Sequence, residues 1–395
     1  MRTPSHNHCT RSIVPALAGV LGLFAVLLMC RGAGSARANA AESAVPAQPK
    51  PASVPVIYCT DLFHPHEDPD DHFDLATIYA IPELDLKCII LDQGDKQAQR
   101  PGRIPVSQMN KITGRDVPAL PGLGQKLKSP ADKALDQPRE FQHGVTTILT
   151  TLQQSPVPVM IAAVGSVRDV VAAFNRAPGL FRSKVGKLLV FIGEASDPKF
   201  REYNVELDSQ AYIGLMRSGL PIYWVPCFDG GAGKNAGHAS FWQARHADVL
   251  RSASPPVIQF FIYALEKEHS DPLAFVSQSV DPPRRARLLA GTRNLWCTAI
   301  FGVLAGRTPS FDGQTWALVS ARTGQPSDGT FTNDLFTFSR VDVSIGDDAA
   351  VRYGRAPDAK PVMRFRIRDP ARYAEAMTAV TVDLLSKLGA SVDHR

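Results

Sequence analysis

The chain has 395 residues, of which 44% are apolar and 21% are charged, and its formal net charge is +5. Residues 1–40 carry four arginines and no acidic residue, so without them the net charge falls from +5 to about +1. This near-neutral balance argues against a nucleic-acid-binding surface. The apolar content is sufficient for one large core or for two domains.

The beginning of the chain has the order of a secretory signal. Arg2 and Arg11 precede an apolar run that ends at Met29, and the small-residue site Ala38-Asn-Ala40 follows. We therefore predict a signal peptide at 1–40 and an exported protein, periplasmic or extracellular. A retained membrane anchor is the alternative.

The remaining chain divides by composition. Residues 41–53 are rich in Ala, Pro and Ser and are predicted to be a disordered linker. We predict that residues 54–390 form the folded domain, in which 276–330 is difficult to assign and is a candidate insertion. The cysteines of this domain match no zinc pattern, and a disulfide among them stays open. They are Cys59, Cys88, Cys227 and Cys297.

From Val54 onward, short apolar runs alternate with helical patterns. Continuous apolar strands separated by helices indicate a mostly parallel central sheet with helices on both faces, and therefore an α/β fold. Residues 228–240 are predicted to be a Gly-rich loop, and 336–344 with 361–367 a late hairpin. The predicted strands are 54–58, 86–91, 158–164, 187–192 and 221–226. The predicted helices are 73–80, 144–152, 166–175, 209–218 and 369–388.

The most acidic stretch, residues 58–74, follows directly on the first predicted strand. It holds five aspartates, one glutamate and three histidines in seventeen residues. Unpaired carboxylates at this density repel one another, which requires raised pKa values or a bound cation. Oxygen ligands of this kind suit Ca²⁺ or Mg²⁺. A solvated acidic loop is the alternative.

Thr60-Asp61 with Asp70-Asp71 is followed by a predicted helix and then by Pro82-Glu83. This order resembles the pattern D-x-D-P-G-x-D-D, a helix and P-E-[IL] of the calcium-dependent nucleoside hydrolases of the inosine-uridine preferring type. Later stretches resemble further family motifs. These are 88–95, 112–127, 158–173, 187–194, Glu202-Tyr-Asn204 through Asp208, and Ser270-Asp271-Pro-Leu-Ala.

The resemblance implies a role for particular residues. It implies that Asp61, Asp71 and Asp271 bind Ca²⁺ through carboxylates, that Val164 binds it through its backbone carbonyl, and that Asp61 is the general base. It also implies a group of residues that hold the sugar. These are Asp70, Asp95, Glu202 and Asn204. We read the segment of Glu202 and Asn204 as extended, with both side chains facing the same side.

Two departures from the family pattern concern the leaving group. Eight residues separate Asp61 from Asp70, where the family has three, and Ser270 stands where the family has a histidine. The candidate leaving-group acids are therefore His64 and His66 in the longer loop, and His269. We favour the longer loop because it begins beside Asp61. His238, in the Gly-rich loop, is a further stand-in.

The resemblance implies Ca²⁺-dependent hydrolysis of the N-glycosidic bond of a ribonucleoside or a related glycoside. The alternative is a catalytically degenerate paralogue that keeps the metal site and binds carbohydrate or nucleoside. The expected partner is a small nucleoside or sugar, with no nucleic acid and no membrane contact after cleavage. A homo-oligomer stays open.

Overall fold

A computed structural model of the chain describes residues 53–321 and 329–389. The predicted signal peptide at 1–40 and nearly all of the predicted linker at 41–53 lie outside the described residues. None of the described helices is both long enough and apolar enough to span a bilayer.

The described strands mostly coincide with the apolar runs of the sequence. In chain order they are β1 (Val54–Thr60), β2 (Leu84–Leu91), β3 (Ala119–Pro121), β4 (Val159–Val164), β5 (Val185–Phe191), β6 (Ile222–Val225), β7 (Trp242–Arg245), β8 (Thr292–Leu295), β9 (Arg307–Phe311), β10 (Trp316–Ser320), β11 (Phe331–Thr332), β12 (Phe336–Ile345), β13 (Val351–Tyr353) and β14 (Lys360–Ile367).

The described helices alternate with these strands in the first half of the chain. They are α1 (Asp70–Ala80), α2 (Gly94–Gln97), α3 (Arg103–Thr113), α4 (His143–Gln154), α5 (Arg168–Arg176), α6 (Pro178–Lys184), α7 (Tyr203–Leu207), α8 (Ser209–Arg217), α9 (His246–Val249), α10 (Pro255–Leu265), α11 (Pro272–Phe275), α12 (Pro282–Leu289) and α13 (Pro370–Ser386). Two 3₁₀ helices, at Arg139–Phe141 and Thr298–Ala305, complete the set.

One sheet organises the fold. Its strand order is β11-β12-β14-β6-β5-β4-β1-β2-β3, and β13 pairs with β12. The strands from β14 to β3 in this order are parallel to one another, whereas β12 pairs antiparallel with β11, β13 and β14. The order reverses between β1 and β4, because β2 and β3 extend the sheet on one side and β4 to β6 on the other. Such a switch point is where parallel sheets bind ligands.

Both faces of the sheet are covered. Along β1, Val56 and Tyr58 are buried in one apolar cluster, and Ile57 and Cys59 are buried in another. Successive side chains of a strand point to opposite faces, so burial of all four requires a helical layer on each side. The predicted mostly parallel α/β sheet is confirmed.

The segment 276–330, a candidate insertion in the sequence, shares the main core. Leu295, Ile300 and Phe301 are fully buried in the same cluster as Val56 and Tyr58. Strand β8, within this segment, pairs antiparallel with β7 and so joins the segment to the rest of the domain. The described part of 276–330 is therefore integral to the packing.

Three local expectations need correction. Helix α1 begins at Asp70 rather than Phe73, because aspartates in a first turn are stabilised by the helix dipole. Helix α5 begins at Arg168 rather than at Ser166, whose hydroxyl donates to Asp92. Glu202 and Asn204 lie at the start of α7 and not on an extended segment. The predicted late hairpin corresponds to β12 and β14, which pair antiparallel with β13 between them in the chain.

Candidate functional site

A cavity of about 470 Å³ opens at the carboxyl ends of the parallel strands. Val164 and Phe191 end β4 and β5, Asp61 follows β1, and Cys227 lies two residues beyond β6. The cavity therefore occupies the switch point of the sheet, and its size suits a small organic ligand.

Seven carboxyl groups line this cavity. They are Asp61, Glu67, Asp68, Asp70, Asp71, Asp74 and Glu202. Glu67 and Asp68 are paired with arginines from outside the cavity, Arg100 and Arg293 respectively. No lysine or arginine among the described residues forms an ion pair with the other five carboxylates.

The first turn of α1 brings two of these carboxylates into the cavity. Asp71 accepts a hydrogen bond from the Thr60 hydroxyl at 3.3 Å, which ties the helix to the end of β1. Burial raises the pKa of both Asp70 and Asp71 well above the usual range, and neighbouring carboxylates, Asp61 among them, add to the effect. The two groups favour a proton or a cation beside them.

Asp61 lies where β1 and β4 meet. Burial raises its pKa to about 7, with a further increase from Asp92. Gly165, with φ of +97°, makes this approach feasible, because a Cβ there would stand 3.1 Å from Asp61 Oδ1 and 3.0 Å from Asp92 Oδ2. Asp92 is held by Ser166, whose amide and hydroxyl each donate to it at 2.7 Å. Asp61 is thus suited to accept a proton near neutral pH.

Glu202 caps the N-terminus of α7 from the opposite wall. Its carboxylate accepts hydrogen bonds from the amides of Gly193 at 2.8 Å, Asn204 at 2.9 Å and Val205 at 3.3 Å. Burial nevertheless raises its pKa to about 7. Asn204 also lines the cavity, and its side-chain amide donates to the Phe191 carbonyl at 3.4 Å.

The floor of the cavity contains two buried thiols, each beside a carboxyl group. Cys297 contacts Asp74, and Cys227 contacts Glu202. Burial raises the pKa of Asp74 to about 7, while hydrogen bonds from Cys297 and from the Thr298 amide lower it. All four described cysteines are free and buried, so the disulfide left open by the sequence is not formed here.

Aromatic side chains form the outer wall. Phe228 and Trp296 pack edge to face, with ring centroids 5.9 Å apart and planes at 87°. The indole of Trp296 donates to the Cys227 carbonyl at 2.8 Å. Tyr203, which is 49% exposed, stands at the mouth and donates its hydroxyl to Glu67 at 2.9 Å. A flat ligand can stack on such a wall.

Comparison with known proteins agrees with this architecture. The chain is 24% identical over 224 residues to the pyrimidine-specific ribonucleoside hydrolase RihA of Citrobacter koseri, covering 52% of this chain and 68% of that protein. RihA of Escherichia coli O1:K1 / APEC is 22% identical over 254 residues, covering 58% of this chain and 78% of that protein. No protein-family model matches the chain.

Among solved structures, a plant nucleoside hydrolase, PpNRh1, has the same fold. The superposition has a TM-score of 0.50 at 15% identity and covers 84% of this chain and 99% of that one. The chain has a nucleoside hydrolase-like fold. The resemblance to nucleoside hydrolases that the sequence motifs indicate is confirmed by these similarities.

In this nucleoside hydrolase-like chain, six of the predicted site residues line one cavity. They are Asp61, Asp70, Asp71, Val164, Glu202 and Asn204. Asp271 and Asp95 are not brought to it. The exposed carboxylate of Asp271 caps α11, accepting from Leu273 and Ala274 amides at 2.8 and 2.9 Å. Asp95 is exposed in the first turn of α2.

The predicted leaving-group acids also lie outside the cavity lining. His64 is buried with Nε2 at 2.6 Å from the Glu268 carbonyl, and its ring stacks on Tyr263 at 4.7 Å. His66 and His269 do not line the cavity either. The favoured longer loop contributes Glu67 and Asp68 instead of an imidazole. His238 is held by Asp229, with Nδ1 at 3.1 Å.

The carboxylate donors of the cavity suit a hard cation, but in this structure they do not converge on a single coordination site. Within residues 53–321 and 329–389, no group of three or more His, Cys, Asp or Glu side chains is arranged to hold a metal ion. Asp61 raises the pKa of both Asp70 and Asp71, and Asp70 raises the pKa of Asp71, so the three carboxyl groups are near enough to repel. Carboxylate oxygens in this state are suitable ligands for Ca²⁺.

Sequence reasoning missed several lining residues of this nucleoside hydrolase-like chain. Trp296 and Cys297 follow a short strand in the segment 276–330, where no periodic pattern marks them. Asp74 was visible in the acidic stretch, and its position one helical turn after Asp70 and Asp71 could have indicated that it shares their face. Phe228 begins the Gly-rich loop, directly after a predicted strand.

Proposed function

We propose that the chain hydrolyses the N-glycosidic bond of a ribonucleoside or a related glycoside. One observation carries the proposal: Asp61, Asp70, Asp71, Glu202 and Asn204 line a single cavity at the switch point of a nucleoside hydrolase-like sheet. The relatives named above, which are ribonucleoside hydrolases, support the reaction class. A cavity of about 470 Å³ has room for a nucleoside.

Each residue has a role that its environment supports. Asp61, with its pKa raised to about 7 by burial, accepts the proton of the attacking water. Asp70, Glu202 and Asn204 hold the sugar hydroxyls. The carboxylates around the sugar stabilise the positive charge that develops on its ring as the bond to the base breaks.

Calcium is part of the proposal. Asp61 and Asp71 would hold it through their carboxylates and Val164 through its backbone carbonyl. When bound, the ion lowers the pKa of a coordinated water and supplies the positive charge that the carboxylates lack. Asp271 is left out of this set, because it is exposed and occupied as a helix cap.

The place of action is also proposed. The basic start, apolar run and Ala38-Asn-Ala40 site support export of the chain with cleavage after Ala40. The substrate would then be met in the periplasm or outside the cell. An N-terminal sequence of the mature protein beginning at Ala41 would test this.

A second candidate function is ligand binding without turnover. The observation that favours it is the lining of the cavity, in which none of the described residues is a histidine. A purine leaves slowly unless it is protonated, and general acid catalysis is worth about 10²–10⁴-fold. A paralogue without that acid could retain the sugar and metal sites alone.

Release of free reducing sugar separates the two functions. The purified chain is assayed with uridine, cytidine, inosine and p-nitrophenyl riboside, with added Ca²⁺ and after chelation. We expect turnover of p-nitrophenyl riboside that chelation abolishes, with less or none on inosine. Absence of turnover on all four, together with ribose binding by calorimetry, would establish the binding function instead.

A further inference from the structure

The charge of the cavity lining is one-sided. Seven of its lining side chains are carboxylates, and none of the described lining residues is lysine, arginine or histidine. The cations that pair with Glu67 and Asp68, Arg100 and Arg293, approach from outside the lining. The lining therefore offers a ligand carboxyl groups and no cationic side chain, which favours cationic ligands over anionic ones.

The outer wall is aromatic as well as acidic. Tyr203, Phe228 and Trp296 line the same cavity as Glu67 and Asp68. The edge-to-face packing of Phe228 against Trp296 fixes the two rings at 5.9 Å. The Trp296 indole is held by its hydrogen bond to the Cys227 carbonyl. Aromatic faces beside carboxylates are the combination that proteins use to bind flat or quaternary organic cations.

Among the described residues, no histidine lines the cavity to protonate a leaving base. His64, in the adjacent loop, contacts the Glu268 carbonyl instead, and His66 is not part of the lining. The oxygens of Glu202 accept hydrogen bonds from three backbone amides. A substrate whose base departs without a proton would not need such a group.

We propose that the preferred substrates are N-ribosides of a cationic aromatic base, such as a pyridinium. This inference rests on the proposed N-glycoside hydrolysis and specifies its substrate class. In the reaction, the bond between the anomeric carbon and the pyridinium nitrogen breaks with its electron pair going to nitrogen, which gives a neutral pyridine. Water adds to the anomeric carbon, and its proton passes to Asp61, so ribose, pyridine and one proton are formed.

The aromatic wall, Glu67 and Asp68 then act on the base, while Asp70 and Glu202 keep their proposed role at the sugar. Trp296 stacks on the positively charged ring while Phe228 packs against Trp296, and Glu67 and Asp68 attract the ring. The attraction to the base is lost once the bond breaks, because the product is neutral, so product release is favoured. Phosphorylated ribosides would be excluded by the same carboxylates.

Two measurements test the inference. The first is kcat/KM for nicotinamide N-riboside, uridine and p-nitrophenyl riboside, the last being an activated but uncharged substrate. The second is calorimetric binding of 1-methylnicotinamide, a cation, against nicotinamide, which is neutral. We expect kcat/KM at least about tenfold higher for the pyridinium riboside than for uridine, and the methylated cation to bind about tenfold tighter than nicotinamide.

Variants at the wall provide the matched comparison. Trp296→Leu should weaken binding of the cation by about tenfold, whereas Trp296→Phe should retain most of it because a ring face remains. Trp316→Phe, in the core and away from the cavity lining, is the control and should bind as the wild type does. Circular dichroism of each variant separates lost binding from lost folding.

The possible results distinguish the proposed substrate class from the proposed N-glycoside hydrolysis on which it rests. Turnover of p-nitrophenyl riboside with no preference for the pyridinium riboside, and equal binding of the two nicotinamides, would overturn the cationic class and leave the hydrolase. Turnover of none of the three ribosides would overturn the proposed function and the substrate class with it.

Discussion

Asp61 and Asp92 approach each other across the bare α-carbon of Gly165, with an oxygen of each about 3 Å from the position a Cβ would take. The two carboxylates have unequal surroundings. Asp92 accepts hydrogen bonds from Gln93 and Ser166, whereas Asp61 faces the cavity. Asp92 therefore has its oxygens engaged in hydrogen bonds, whereas the carboxyl group of Asp61 is available to a ligand in the cavity.

Substitution of Gly165 should disturb this pair. We predict that Gly165→Ala lowers the rate of riboside hydrolysis by at least about tenfold and destabilises the fold by about 1–3 kcal/mol, since φ is +97° and the new methyl meets both carboxylates. Gly313→Ala is the matched control, with φ of +101° and open space around it. Equal losses of activity in the two variants would mean that backbone strain alone matters.

The stability of the metal-free protein should fall as the pH rises from about 4 to about 7. Burial raises the pKa of Asp74 from 3.8 to about 7, so the folded state keeps a proton that the unfolded state has lost. That contribution is complete below the unfolded pKa and disappears as the pH rises through the folded one, at up to about 1.4 kcal/mol per pH unit.

Asp74→Asn tests this assignment, because the amide cannot titrate. Chemical unfolding in chelator, at pH values between 4 and 8, should show a shallower decline in the variant than in the wild type. Asp358→Asn, an exposed change away from the cavity lining, should follow the wild-type slope. An unchanged slope in Asp74→Asn would assign the decline to the other carboxylates.

Removal of Asp71 should abolish tight calcium binding. Asp71→Ala deletes a charged ligand from the proposed set, and we predict a fall in Ca²⁺ affinity of at least about 100-fold by calorimetry, because ligand charge sets affinity in such sites. Asp358→Ala serves as the surface control. If Asp71→Ala binds Ca²⁺ as the wild type does, the metal assignment fails.

His64 should matter for folding and not for turnover. Its buried ring contacts the Glu268 carbonyl and stacks on Tyr263. We predict that His64→Ala lowers the free energy of unfolding by about 1–3 kcal/mol. Its kcat on p-nitrophenyl riboside, measured where both proteins are folded, should stay within about twofold of wild type. A much larger loss of kcat at full stability would restore His64 as a participant.

The strands were predictable because parallel strands buried on both faces appear as continuous apolar runs, as in residues 158–164 and 187–192. The acidic side of the cavity was predictable for a related reason. Asp61 and Asp70-Asp71 closely follow the apolar run of β1, so the sequence predicts that they lie near the carboxyl end of that strand. The sequence pattern does not predict the first turn of α1, because the apolar pattern that marks the helix begins only at Phe73.

Other parts of the site had no local signal. Asp271 matched a family motif, but Asp before Pro is also the ordinary start of a helix, as at Asp281 and Asp369. The structure uses Asp271 in that way. Trp296 and Cys297 reach the cavity only because β8 pairs with β7, a long-range contact that no spacing in the sequence specifies.

The dependence of the aromatic wall on the β7–β8 pairing has a consequence for assembly. Residues 61 and 297 belong to the same cavity, so it is incomplete until nearly the whole of the intervening chain has folded. Closing such long loops is slow, and the site should be among the last features to appear during refolding. A compound that fits the finished cavity should therefore stabilise the entire domain, and its effect on the melting temperature should report global cooperativity.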